Sequence, residues 1–111
     1  MIEKIVLDHL TATLTVPVKG ETQKPDTGAY CVVEKTGSGE LDMLYDSLVA
    51  VKSYGATLYE AAGLNEQVKA AMKTLIEHDE VTDCVLNTDF PDEDPATGRY
   101  RYQAVFNINH Y

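Results

Sequence analysis

GRYRYQAVFNINHY, residues 98–111, decides the architecture of this chain. Read in twos, it splits into two faces. Tyr100, Tyr102, Ala104, Phe106 and Ile108 fall on one. Arg99, Arg101, Gln103, Asn107 and Asn109 fall on the other, where Val105 is the apolar exception. Period two over this length is a half-buried β-strand. An aromatic face needs a layer to pack on, and a polar face needs solvent or a partner.

Working back from it, PDEDPATG (residues 91–98) has two prolines and a glycine and reads as an acidic turn. CVLNTDF, residues 84–90, reads as a strand. Residues 56–77 carry Leu64, Val68, Ala71, Met72, Leu75 and Ile76 at helical spacing. Gly63 interrupts that pattern and predicts a kink or a close packing contact. LYDSLVAVKSYG (residues 44–55) and AYCVVEK (residues 29–35) read as strands, separated by TGSGELDM (residues 36–43), which reads as a loop. KGETQKPDTG is a polar loop, and VPV a short edge strand. Residues 2–14 place Ile2, Ile5, Val6, Leu10 and Leu14 on a helical stripe until Pro17 stops it. The predicted class is α+β: a mostly antiparallel sheet of four to five strands with two helices packed on one face.

At 111 residues the chain forms a single domain, residues 1–111, and its 44% hydrophobic content supports a core. The charged start MIEKIVLDHL does not read as a signal peptide, and no stretch has the length and apolarity of a membrane span. Cys31 and Cys84 are therefore expected as free thiols in a reducing compartment.

The net charge of −9 at pH 7 repels phosphate, and no Lys/Arg cluster offers a nucleic-acid grip. Eight acidic residues between Glu77 and Asp94, without a Lys or Arg among them, predict one strongly negative end. His9 reads as a half-buried, satisfied residue. His78 sits in a solvated acidic helix end, and His110 on the aromatic face of the last strand. DFPDEDPATG lacks the ligand spacing of a calcium loop. No phosphate loop, nucleophile elbow, dinucleotide fingerprint or C-x-x-C occurs. No metal, cofactor or catalytic site is expected, and the chain is read as a non-enzyme. Arg99 and Arg101, directly after the acidic turn, suit a head-to-tail contact with a second copy.

Taken together, IEKIVLDHL, VPV, YCVVEKTGS, LVAVKSYGATLYEAAGLNEQVKAAM and RYRYQAVFNINHY resemble the tail-terminator, or tail-completion, proteins of long-tailed bacteriophages and prophages. The resemblance runs over nearly the whole chain in one order. It implies a structural protein without enzyme activity, forming a homohexameric ring that caps the tail tube and joins the head connector or adaptor. DNA would pass through the ring without specific binding, and the protein would belong to the virion after assembly in the host cytoplasm. Expected contacts with another subunit or with the tube are Arg99, Arg101 and Gln103, and Asp92, Glu93 and Asp94 with the residue 36–43 loop. Charge reversal of Asp92, Glu93 and Asp94 is expected to block tail joining without unfolding the monomer. Alternatives are another neck protein (head-closure or adaptor ring) and a small-molecule-binding regulatory domain that dimerises through its sheet.

Overall fold

Residues 1–20, 28–41, 44–95 and 98–111 are described by the computed structural model. Ile2, Val6 and Leu10 recur at four-residue steps and bury one side of helix α1, Ile2–Thr13. The helix ends where its sequence turns β-branched. The Thr11 and Thr13 hydroxyls donate to Leu7 O and His9 O, each at 2.7 Å, competing with the backbone for the same carbonyls. Leu14 is already extended and half-buried, one residue past the helix.

Pro17 then directs the chain into β1, Val18–Lys19, an edge strand parallel to β2, Tyr30–Leu41. β2 pairs antiparallel with β3, Leu44–Gly55. Here the expected loop is corrected. Residues 36–41 continue β2, with a bulge between Lys35 and Gly37; residues 42–43 lie outside the described residues. Gly37 and Gly39 weaken strand propensity, but the ladder is made of backbone bonds. The partner Leu44–Leu48 holds the strand in place.

Thr57 caps helix α2, Leu58–Met72: its hydroxyl accepts the Glu60 N–H at 3.1 Å, while Glu60 Oε2 accepts the Ala56 N–H at 3.0 Å. The long helix expected over 56–77 is shorter. α2 stops at Met72, and a 3₁₀ turn, Leu75–Glu77, follows. Leu75 stays buried after this change of pitch, but Ile76 is swung out to 54% exposure.

Gly63 makes no close contact and does not break the helix. α2 runs through it, and a Cβ added there would meet nothing within 4 Å. Gly63→Ala is expected to stabilise the fold by about 0.4–1 kcal/mol, read as a raised urea midpoint.

β4, Val81–Glu93, is longer at both ends than residues 84–90. Pro91, Asp92 and Glu93, expected in the turn, belong to the strand. Proline is tolerated because β4 is an edge strand. The true turn is tighter: Asp94 N–H donates to Arg99 O at 3.0 Å, Gly98 N–H donates to Asp94 O at 2.7 Å, and Gly98 takes φ 71°. β5, Tyr100–His110, then returns between β3 and β4.

The sheet order is β1-β2-β3-β5-β4, antiparallel except for the β1–β2 pair. Both helices share one core with one face of the sheet. Val6 and Leu10 from α1, and Leu64, Val68 and Met72 from α2, lie over Val33, Val49, Val51, Phe106 and Ile108. The fold is α+β. The aromatic side of the last strand packs as expected from Ala104 onward; Tyr100 remains exposed and Tyr102 half-buried.

Candidate functional site

The helix-free face of the sheet answers what the polar side of β5 meets. Register sets Tyr30 opposite Tyr54, and Tyr54 opposite Arg101. The two tyrosine rings stack with centroids 4.5 Å apart and planes 6° from parallel. Arg99 lies over the Tyr30 ring at 5.7 Å, and Arg101 over the Tyr54 ring at 5.9 Å. Arg99 also donates to Gly28 O at 2.7 Å.

Arg101 is the centre of a clasp. Its Nε and Nη2 donate to Asp92 Oδ2 at 2.9 and 2.6 Å, and its Nη1 donates to the Tyr54 hydroxyl at 3.1 Å. Tyr54 donates in turn to Asp94 Oδ2 at 3.0 Å, which lies 3.8 Å from Arg101 Nη1. Burial alone would lower the Arg101 pKa; the Tyr54 and Asp92 hydrogen bonds outweigh it and raise it.

Of the six residues expected at a contact, the structure therefore brings three together. The side chains of Arg101, Asp92 and Asp94 are turned to one another, so reversing their charge disturbs the fold before any contact outside the chain. Arg99 reaches Gly28 and Tyr30. Glu93 is exposed beside the turn, and Gln103 is half-buried, opposite Lys52 and Phe90 in the ladder.

On the other face, a cleft opens between α2 and β4. α2 lies over β3 and β5 and leaves the edge strand uncovered. The cleft has a volume of about 570 Å³, with Cys84, Leu86 and Phe106 on its floor and Lys69 and Lys73 on the helix side. Leu86 at 39% and Val85 at 50% exposure line it, while Phe90, at 38%, is exposed on the opposite face beside Gln103. The sequence reading missed this groove. The adjacent apolar pair Val85–Leu86 was its signal, because a strand with one buried face exposes one of two neighbours.

One end of the cleft is tied by Lys69. Its Nζ donates to Asp89 Oδ2 at 2.9 Å, as does Asn65 Nδ2, also at 2.9 Å. The Lys69 hydrogen bond, helped by Asn65, holds the Asp89 carboxyl below its ordinary pKa against desolvation. A lowered carboxylate pKa stabilises the fold above the unfolded value, about 3.9, and that stabilisation is lost as pH falls through the lower folded value. Asp89→Asn is therefore expected to reduce stability at pH 7 and to flatten its decline below about pH 4, read by urea titration at each pH.

Burial pushes the Cys31 and Cys84 thiols up to about 11, so neither is a thiolate at neutral pH, and both are free. His9 is half-buried and satisfied as expected: its Nε2 donates to Ala71 O at 2.9 Å, joining α1 to the end of α2. His78 is exposed, and its Nδ1 accepts the Glu80 N–H at 3.4 Å. Ser47 Oγ and His110 Nε2 are 2.8 Å apart, a spacing that resembles a nucleophile and its base. Ser47 is buried, and His110, 8% exposed, stacks on Tyr45 and lines a small cavity with Glu80 and Tyr111.

Among the described residues, no three His, Cys, Asp or Glu side chains converge as metal ligands, and no helix is long and apolar enough to cross a membrane. No protein-family model matches this chain, and no curated protein matches it.

Proposed function

We propose that this chain is a virion structural protein of a long-tailed phage or prophage, a tail terminator. Copies of it, six in the expected ring, cap the tail tube and receive the head connector. The observation that supports this reading is where the resembling segments fall. They are α1, β1, the first half of β2, the β3–α2 unit and β5, which make up the frame of the fold. The pattern is thus carried by the packed elements rather than by one surface loop.

Charge is consistent with the role. A net −9 disfavours a grip on DNA, so a ring of such chains lets a genome slide. Only carboxylates within a Debye length of the channel, about 8 Å at physiological salt, act this way. The reading assigns no chemical step to the chain; its work is assembly.

The test is capping. Added to tail tubes purified from the phage, the protein is expected to bind one tube end and to stop further polymerisation of tube subunits. Binding along the sides, or not at all, defeats the reading. A head-closure or adaptor ring would instead bind the connector and leave tubes uncapped. The α2–β4 cleft favours a second reading, a regulatory domain for a small apolar acid held by Lys73 at the helix side. It predicts a raised melting temperature in a metabolite screen, with no tube binding.

A further inference from the structure

The sequence offered Arg99 and Arg101 as the positive half of a head-to-tail contact, but both are engaged within the chain. What remains is an asymmetry between the two edges of the sheet. One edge is β4, with the uncovered α2–β4 cleft behind it. Its exposed acids include Asp83 and Glu93, and its exposed apolar residues are Val85, Leu86 and Phe90. The opposite edge is β1, with the outer side of β2 beyond Val32, where no strand pairs among the described residues. It carries Lys19 and Lys35, neither in an ion pair among the described residues. Glu34 on that edge is already paired with Lys52 at 2.7 Å. Leu14, Val16 and Val18 pack against the core of their own chain and are only half-buried, so part of their apolar surface lies open on that edge.

We propose that the α2–β4 cleft and edge of one copy receive the Leu14–Lys19 edge of a second copy, the open apolar surface of that edge lying against the cleft and Lys19 and Lys35 toward the β4 acids. The proposal rests on the ring reading and names the joint of that ring. Two different surfaces at opposite ends of one sheet make a heterologous contact, the kind that closes into a ring when its rotation allows. Leu86 and the apolar floor of the cleft then have a cover, which exposed apolar surface of this kind calls for.

The contact is made by side chains rather than by a sheet running through the ring. β4 carries register shifts at Val81/Asp83 and Leu86/Thr88 and a proline at 91, and β2 is bulged between Lys35 and Gly37. Such features block continuous strand addition at an edge.

The experiment uses a mixture of ¹⁴N- and ¹⁵N-labelled protein, at millimolar concentration alone and bound to phage tail tubes. A zero-length carbodiimide joins lysines to carboxylates, and mass spectrometry separates mixed-isotope from same-isotope pairs. Lys52–Glu34 and Lys69–Asp89 are expected as same-isotope links and report folding. Mixed-isotope links from Lys19 or Lys35 to Asp83 or Glu93 are expected. Leu86→Glu, on an exposed position, is expected to cut their yield tenfold or more, the size of a hot-spot loss, while the same-isotope links persist. Assemblies whose mixed-isotope links run elsewhere overturn this joint and leave the ring reading standing. No mixed-isotope links in either sample overturns both.

Discussion

Arg101→Glu is expected to destabilise the fold by about 1.5–3 kcal/mol, the range for losing a hydrogen bond to a charged group, because the pair is only part-buried, with Asp92 31% exposed. The Arg101 side chain is 13% exposed, and Asp94, facing it, 7%. The substitution adds a third carboxylate to the two that Arg101 now neutralises, and it strips the Tyr54 hydroxyl of a donor. The loss reads directly as a lowered urea midpoint with an unchanged slope. Arg101→Lys keeps the charge but not the planar fork, and is expected to fall between wild type and Arg101→Glu. A midpoint unchanged by Arg101→Glu would show that the clasp contributes nothing to stability. The Arg99 hydrogen bond to Gly28 O is solvent-exposed, whereas those of Arg101 to Asp92 are part-buried, so Arg99→Glu is expected to cost less than Arg101→Glu.

Gly55→Val is the second large effect. Gly55 ends β3 just before the α2 cap, and a Cβ added there would stand 2.7 Å from the Ala61 amide nitrogen and 3.1 Å from the Glu60 carbonyl carbon. Both are backbone atoms of the first turn of α2, so no side chain can move aside. The helix would have to lift from the sheet, away from Val49, Val51 and Phe106. Overpacking of this kind costs about 1–3 kcal/mol, and a branched residue stands at the upper end. Thermal unfolding by circular dichroism measures it. A Gly55→Val protein as stable as wild type would mean that α2 does not sit as closely on β3 as the structure has it.

These two sites mark the limits of what the sequence made legible. The period of Tyr100–Ile108 and the spacing of Leu64, Val68 and Met72 are local signals, and they located a strand, a helix and the α+β class. The strand through Thr36–Leu41 was not legible, because its partner Leu44–Leu48 and the backbone ladder, rather than its own glycine-rich composition, hold it extended. The break of α2 at Met72 was hidden for a related reason: Leu75 keeps the apolar spacing while the chain changes pitch.

The clasp depends on register. Asp92 and Arg101 are nine residues apart and opposite only because β4 and β5 pair as they do. Read along the chain, they were an acidic turn and a basic strand free to meet another copy. The cleft depends on sheet order. Chain order puts β4 after α2, but β5 inserts between β3 and β4 and pushes β4 to the edge, where α2 reaches it through Asn65 and Lys69 at Asp89 and leaves the cleft open beside them. Two helices cannot cover four long strands, and the uncovered strand is where Val85, Leu86 and Phe90 are exposed.

The central claim is that these surfaces build a ring. The most direct measurement is the mass of the protein by light scattering across a concentration and salt series, alone and on purified tail tubes, with electron microscopy of the large species. The account predicts closed rings with a central hole that admits duplex DNA, seated on one end of each tube. A stable two-fold dimer that ignores the tubes, or a monomer under every condition, would contradict it.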